Sequence, residues 1–213
     1  MSADGFLNVA VTGVPRVRLL SSGCVPGDRI VLWKPLGTGL ALTARNLGIV
    51  KEDELAHAFN AMERSNSDAA DLLVELEGVA PGSVRAVNDV SGFGFLESLR
   101  KLIGTGIAEI DACQLRYFEG SDLFVVEETW SALADANLVA SDEYTTYRNL
   151  GVPLRRLVPA LLNDPQTSGG LLAIIDPATW TLAESQVDLD ACDVGTVTAA
   201  GGGPRVIIAG QEH

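Results

Sequence analysis

The stretch Asp164-Pro165-Gln166-Thr167-Ser168-Gly169-Gly170 runs straight into Leu171-Leu172-Ala173-Ile174-Ile175, and this junction constrains the chain more than any other. Asp-Pro and Gly-Gly are strong turn signals. Five consecutive apolar residues then suit a buried strand. A tight polar loop is therefore pinned between the upstream segment Leu157–Leu162 and a core strand. Thr167 and Ser168 offer hydroxyls, Gln166 an amide, and Gly169 and Gly170 let backbone come close to another group. Such a loop serves either as a binding element on a rigid scaffold or as a structural turn with local side-chain caps.

At 213 residues and 22.4 kDa, residues 1–213 fit one domain. A chain of that size buries about 70% of its unfolded surface. With 47% hydrophobic and 20% charged residues it is globular. A net charge of −13 argues against nucleic acid and against an anionic membrane surface as partners. It leaves room for a nucleotide or phosphorylated small molecule, which local backbone donors and one cation can hold. The segment Met1–Leu20 carries Asp4 and has no secretory pattern, and no apolar run reaches a membrane span. Cys24, Cys113 and Cys192 are widely spaced, which suggests neither a disulfide framework nor a zinc site. The expected setting is reduced and cytoplasmic.

Leu7–Gly13 reads as a strand, and Val25-Pro26-Gly27-Asp28 as a turn before the strand Arg29–Trp33. That strand enters Lys34-Pro35-Leu36-Gly37-Thr38-Gly39 and then a helix over Leu40–Leu47. Strand, glycine turn and helix in succession aim backbone N–H groups at an anion. Lys34 is either an anion contact or a solvated strand end. Leu55, Ala58, Phe59 and Met62 form one face of a helix over Glu52–Arg64, which also carries His57; Asn66–Leu76 makes a second helix. Val84–Val87 is a short strand leading through Asn88-Asp89-Val90-Ser91-Gly92-Phe93-Gly94 into an amphipathic helix with Phe95, Leu96, Leu99, Leu102 and Ile103. Asp89 at that strand's end is placed either to help hold Mg²⁺ or to cap the helix. A strand over Gly106–Ile110, a helix over Val125–Asn137, a turn-like Ser141–Leu150 and a helix from Pro177 towards Gln186 follow. Val194–Val197 and Val206–Ala209 are expected to close the chain as a hairpin around Gly201-Gly202-Gly203-Pro204.

Taken together, Pro26-Gly27-Asp28 with Val31-Leu32, Lys34–Gly39, Asp89–Gly94 and Asp164–Leu172 resemble the C-terminal domain of selenophosphate synthetases, within the PurM-like superfamily of aminoimidazole ribonucleotide synthetase. The resemblance runs from about Val9 to Ala209. It implies an α+β fold like the PurM C-terminal domain, a mixed β-sheet with helices packed mainly on one face. It also implies ATP and Mg²⁺ as cofactors, with Asp89 as the metal residue. Lys34, Gly37, Thr38, Gly39, Gly92, Gly94, Thr167, Ser168, Gly169 and Gly170 would be the nucleotide-binding residues. The complete enzyme would make selenophosphate from selenide and ATP, with this domain closing over the triphosphate.

The chain departs from that pattern at Glu97-Ser98, where the family has Gly-His. Tyr144-Thr145-Thr146-Tyr147-Arg148-Asn149 departs likewise from a family Gly-Gly-Thr-Arg-Arg-Asn. Cys24 does not match the family nucleophile, no catalytic residue is assigned, and the family's N-terminal catalytic domain has no counterpart here. The resemblance thus implies an N-terminal-domain partner chain or a homodimer, and a chain inactive by itself. Two other readings are a non-catalytic stand-alone paralogue binding a nucleotide, phosphate or protein partner, and an aminoimidazole ribonucleotide synthetase-related protein acting on another phosphorylated substrate.

Overall fold

The computed structural model describes residues 10, 12–14, 17, 19–118, 121, 125, 130, 132–185, 190–200 and 205–210. The apolar run of strand β1 (Arg29–Trp33) leads into helix α1 (Thr38–Asn46). A 3₁₀ turn at Glu52–Leu55 precedes α2 (Ala56–Glu63), and α3 (Ser67–Val79) follows. Next come β2 (Val84–Asp89), α4 (Gly94–Ile103), β3 (Gly106–Asp111), α5 (Ala132–Ser141) and β4 (Thr145–Arg148). The chain ends with α6 (Val152–Asn163), β5 (Leu171–Ile175), α7 (Pro177–Glu184), β6 (Ala191–Ala200) and β7 (Arg205–Ala209).

Among the described residues the strands form one seven-stranded sheet in the order β2-β5-β1-β6-β3-β7-β4. Pairing is antiparallel except where β7 lies parallel to β3 and to β4. Strand alternation divides β1 and β5 between two cores. Ile30, Leu32, Leu172 and Ile174 face the larger one, built with α1, α2, α4 and α6. Val31, Trp33, Ala173 and Ile175 face a smaller one, closed by Ala69 and Leu73 of α3 and by Trp180 and Ala183 of α7. Burial on both faces explains why these two strands read as unbroken apolar runs. The sheet is therefore mixed, with the main helical layer on one face and two helices at one end of the other.

Local chemistry sets the helix ends. Asp176 caps α7 by accepting from the amides of Ala178 and Thr179, and Pro177 fills the first helical position. In α4 the side chains of Phe95, Leu96, Leu99, Leu102 and Ile103 are all buried, as their spacing predicts.

Three expectations are corrected. Val194–Val197 and Val206–Ala209 do not form a hairpin, because β3 lies between β6 and β7 and pairs with both. The glycine–proline signal marks a change of direction and says nothing about which strand becomes the neighbour. The turn-like Ser141–Leu150 contains β4, an edge strand with polar exposed positions that mask its periodicity. The continuous helix over Glu52–Arg64 begins as a 3₁₀ turn and becomes α-helical only from Ala56. The expected strand over Leu7–Gly13 lies largely outside the described residues, as does much of the expected helix over Val125–Asn137.

Candidate functional site

Antiparallel pairing brings three loops to one end of the sheet. The exit of β1 and the exit of β2 both adjoin the start of β5, because Leu32 and Asn88 each pair with Leu172. The Lys34–Gly39 turn, the Asp89–Gly94 turn and the Asp164–Gly170 loop therefore meet.

Asp164 and Gln166 bind them together. Gln166 Oε1 accepts the amides of Gly37 (2.9 Å) and Thr38 (3.2 Å), and its Nε2 donates to Asp164 O (2.9 Å) and Oδ2 (3.1 Å). The Leu40 amide donates to Asp164 Oδ2 at 2.9 Å. The first-turn amides of α1, which the sequence pointed at an anion, are thus taken by the chain's own carboxylate and carboxamide. The Gln166 amide donates to Ser91 O (3.0 Å) and that of Val90 to Gly170 O (3.0 Å), joining the second turn to the same loop. Asp164 is wholly buried. Burial raises its carboxyl to about 7, against the lowering effect of the Leu40, Gln166 and Gly39 donors. Its Oδ1 faces Gly39 without a hydrogen bond of good geometry.

The glycines serve this junction. A Cβ on Gly39 would lie 2.1 Å from Pro165 O, one on Gly169 2.1 Å from Val90 O, and one on Gly170 1.6 Å from Trp33 O. On Gly94 it would meet Leu162 O at 2.9 Å. Thr38 is buried, its hydroxyl accepting the Thr167 amide at 2.8 Å. Lys34 is buried too, and its Nζ donates to Arg64 O (2.6 Å) and Ser168 O (3.1 Å).

A second subset faces outward. Asp89, Ser91, Gly92, Thr167 and Ser168 are exposed, and the space around Gly92 is open. Among the described residues the Asp89 carboxylate makes no hydrogen bond and no ion pair, so it does not cap α4, whose N-cap is Phe93. Its backbone is fixed instead, with Ser98 Oγ donating to Asp89 O at 3.2 Å. Asn137 was not singled out from the sequence. Its Nδ2 donates to Gly92 O (3.1 Å) and Asn163 O (2.9 Å), clamping the turn from α5. Nothing in its spacing marks this role, since a polar residue on an exposed helix is the default.

The two departures from the family motif touch one another. Glu97 receives a bidentate pair from Arg100 (2.6 Å each) and the Tyr144 hydroxyl at 3.4 Å. Arg100 also sits 5.7 Å from the centroid of the Tyr144 ring. The Arg100 hydrogen bonds hold the Glu97 carboxyl below its ordinary value.

Among the described residues no group of three or more His, Cys, Asp or Glu side chains could hold a metal unaided. One exposed carboxylate without a partner among the described residues nonetheless fits Mg²⁺, which keeps several waters and leans on substrate phosphates. No described helix is long and apolar enough to cross a membrane.

Residues 25–207 match the family model described as AIR synthase related protein, C-terminal domain. The selenide, water dikinase of Salmonella typhimurium is 33% identical over 212 residues, covering 96% of this chain and 57% of that enzyme. That of Citrifermentans bemidjiense is 31% identical over 207 residues, covering 94% and 57%. The chain thus spans little more than half the length of the curated relatives it matches. Among solved structures, hydrogenase maturation protein HypE in complex with ATP superposes with a TM-score of 0.58 at 14% identity, over 90% of this chain and 50% of that one. At that identity the likeness is one of fold.

Proposed function

The chain belongs to the AIR synthase-related family and carries its C-terminal domain, and from this premise we propose that it is the nucleotide-closing half of a selenide, water dikinase-type phosphotransferase. The observation that carries the reading is the free, exposed Asp89 carboxylate beside the Thr167–Ser168 loop, both mounted on the buried Asp164–Gln166 junction. Asp89 would hold Mg²⁺, and Ser91, Gly92, Thr167 and Ser168 would face the phosphates. Lys34, Gly37, Thr38, Gly39, Gly94, Gly169 and Gly170 would hold that ledge rigid from behind. When bound, the ion would neutralise phosphate charge and orient its oxygens. The groups that react with selenide and ATP would come from the part of the relatives' length that these residues do not match. Relatives named as dikinases and a HypE structure in complex with ATP support the nucleotide.

The contact between Glu97 and Tyr144 favours a second reading, in which a related ligand is taken. Two side chains at positions where the resemblance has glycines touch one another there and line a cavity with Phe93 and Asn137.

Calorimetric titration of Mg²⁺–ATP into the chain tests the first reading. One carboxylate and a few hydroxyls should give a dissociation constant between millimolar and high micromolar, about 4–6 kcal/mol. Asp89→Asn should abolish the Mg²⁺-dependent part. Equal binding by that variant would refute the assignment.

A further inference from the structure

A cavity of about 650 Å³ opens beside the second glycine turn, a size that suits a small organic molecule. Phe93, Glu97, Arg100, Asn137, Glu143 and Tyr144 contribute to its walls. Phe93 directly follows Gly92 and is 62% exposed. The Lys101 ammonium sits 4.8 Å from the centroid of its ring and does not line the cavity. The ring therefore meets the cavity with surface that Lys101 leaves free.

The polar groups of the walls divide into a closed set and an open one. Glu97 is closed, since both its oxygens receive Arg100 and the Tyr144 hydroxyl donates to it as well. Burial, and then the Glu97 charge, raise the Tyr144 pKa, which keeps that hydroxyl a donor. Asn137 is open on one side. Both N–H groups of its Nδ2 are taken, by Gly92 O and Asn163 O. A carbonyl only accepts, so these bonds fix the amide's orientation and leave Oδ1 as an acceptor. That oxygen has no partner among the described residues, and it is not one of the polar atoms sealed from solvent. The Glu143 carboxylate is exposed and likewise without a partner among the described residues. Arg100 Nη1 stands outside the Glu97 pair.

Two acceptors, one donor and an aromatic surface are thus open to a ligand. The acceptors call for N–H groups. Lys101 already places a positive charge on Phe93, which makes the ring a poor seat for a second cation and leaves it suited to an uncharged flat ring. Selenide carries negative charge and no N–H group, and the unpaired Glu143 carboxylate repels it. We propose that this cavity binds an amino-bearing heteroaromatic ring of the aminopurine nucleoside class. The ring stacks on Phe93, its amino group donates to Asn137 Oδ1 and Glu143, and a ring nitrogen accepts from Arg100 Nη1. This names the related ligand of the second reading above and rests on it, because Glu97 and Tyr144 shape the walls. Two sources share this chemistry, the base of a nucleotide on the Asp89 ledge and a free nucleoside.

The test is titration of adenosine, and separately of inosine, into the full chain by calorimetry without Mg²⁺. Inosine keeps the ring and the ribose but has a carbonyl where adenosine has its amino group. Adenosine should saturate in the millimolar range, with an affinity about tenfold or more above that of inosine, the usual cost of leaving polar groups unpaired. Ala140→Phe, at an exposed helix position that lines the cavity, should fill the space and abolish adenosine binding. Phe93→Ala should weaken it by about tenfold, as loss of one stacked base does. Equal affinities for the two nucleosides, absence of saturation, or undiminished binding by Ala140→Phe would each overturn the proposal. The adenosine-to-inosine ratio is read on the unaltered chain, so it decides the matter even where a variant misfolds. Once adenosine binds, its competition with Mg²⁺–ATP would uphold the site as the seat of the nucleotide's own base, and independent binding would uphold it as the seat of a separate nucleoside. Adenosine carries no phosphate, so its binding is read apart from Asp89→Asn, and failure of the cavity is distinguishable from failure of the ledge.

Discussion

A single buried carboxyl shows how strongly the junction depends on one group. Asp164 titrates near 7 in the fold, while an unstructured chain would release the same proton near 3.9. Between those values the folded chain binds more protons than the unfolded one, so stability falls as pH rises from about 4 to about 7. The three-unit span corresponds to at most about 4 kcal/mol. Asp164→Asn can still accept from Leu40 yet never ionises, so it should flatten that part of the profile. Urea midpoints at pH 5 and pH 8 check this, and parallel slopes for the two proteins would refute it. The same junction explains why Asp164 and Gln166 were not assigned roles from sequence. A polar loop between Asp-Pro and Gly-Gly looks outward-facing on paper, and only the folded backbone shows that two of its side chains turn inward while Thr167 and Ser168 stay exposed, the Ser168 hydroxyl donating to Met62 O.

The elements meeting at that junction touch through bare backbone. Gly170→Ala would drive a methyl into Trp33 O, between β1 and the start of β5, and should cost more than about 4 kcal/mol. Gly92→Ala enters open space at an ordinary backbone angle and should stay within about 0.5 kcal/mol. Denaturant midpoints of the two variants compare them directly, and similar losses would contradict the distinction. Both glycines looked alike in the sequence, because a turn signal does not report what the turn lies against. Unbroken apolar runs and a single buried helical face were legible: β1 and β5 emerged from their continuous apolar stretches and α4 from its apolar spacing, with small shifts at their ends. Strand β4 was not, since an edge strand with exposed polar positions carries no alternation, and neither was the insertion of β3 between β6 and β7, since strand adjacency depends on distant partners.

For the whole molecule, the excess of 28 acidic over 15 basic residues is a uniform strain on the compact state. Added salt should screen it, so the melting temperature should rise between about 20 mM and about 500 mM sodium chloride, where the Debye length shrinks several-fold. A fall across that range, followed by thermal scans, would contradict this. The order of the strands has a different consequence. Among the described residues strand β6 is the sole seam between β1 and β3, and a chain stopped after Glu184 should lose its folded circular-dichroism signal. Ile30 pairs with Ile174 on one side and Gly195 on the other. At the pace of a ribosome, roughly 5–20 residues per second, the earliest apolar strand is born on the order of ten seconds before either neighbour exists. During that wait it is the segment of the nascent polypeptide in most need of a chaperone's cover.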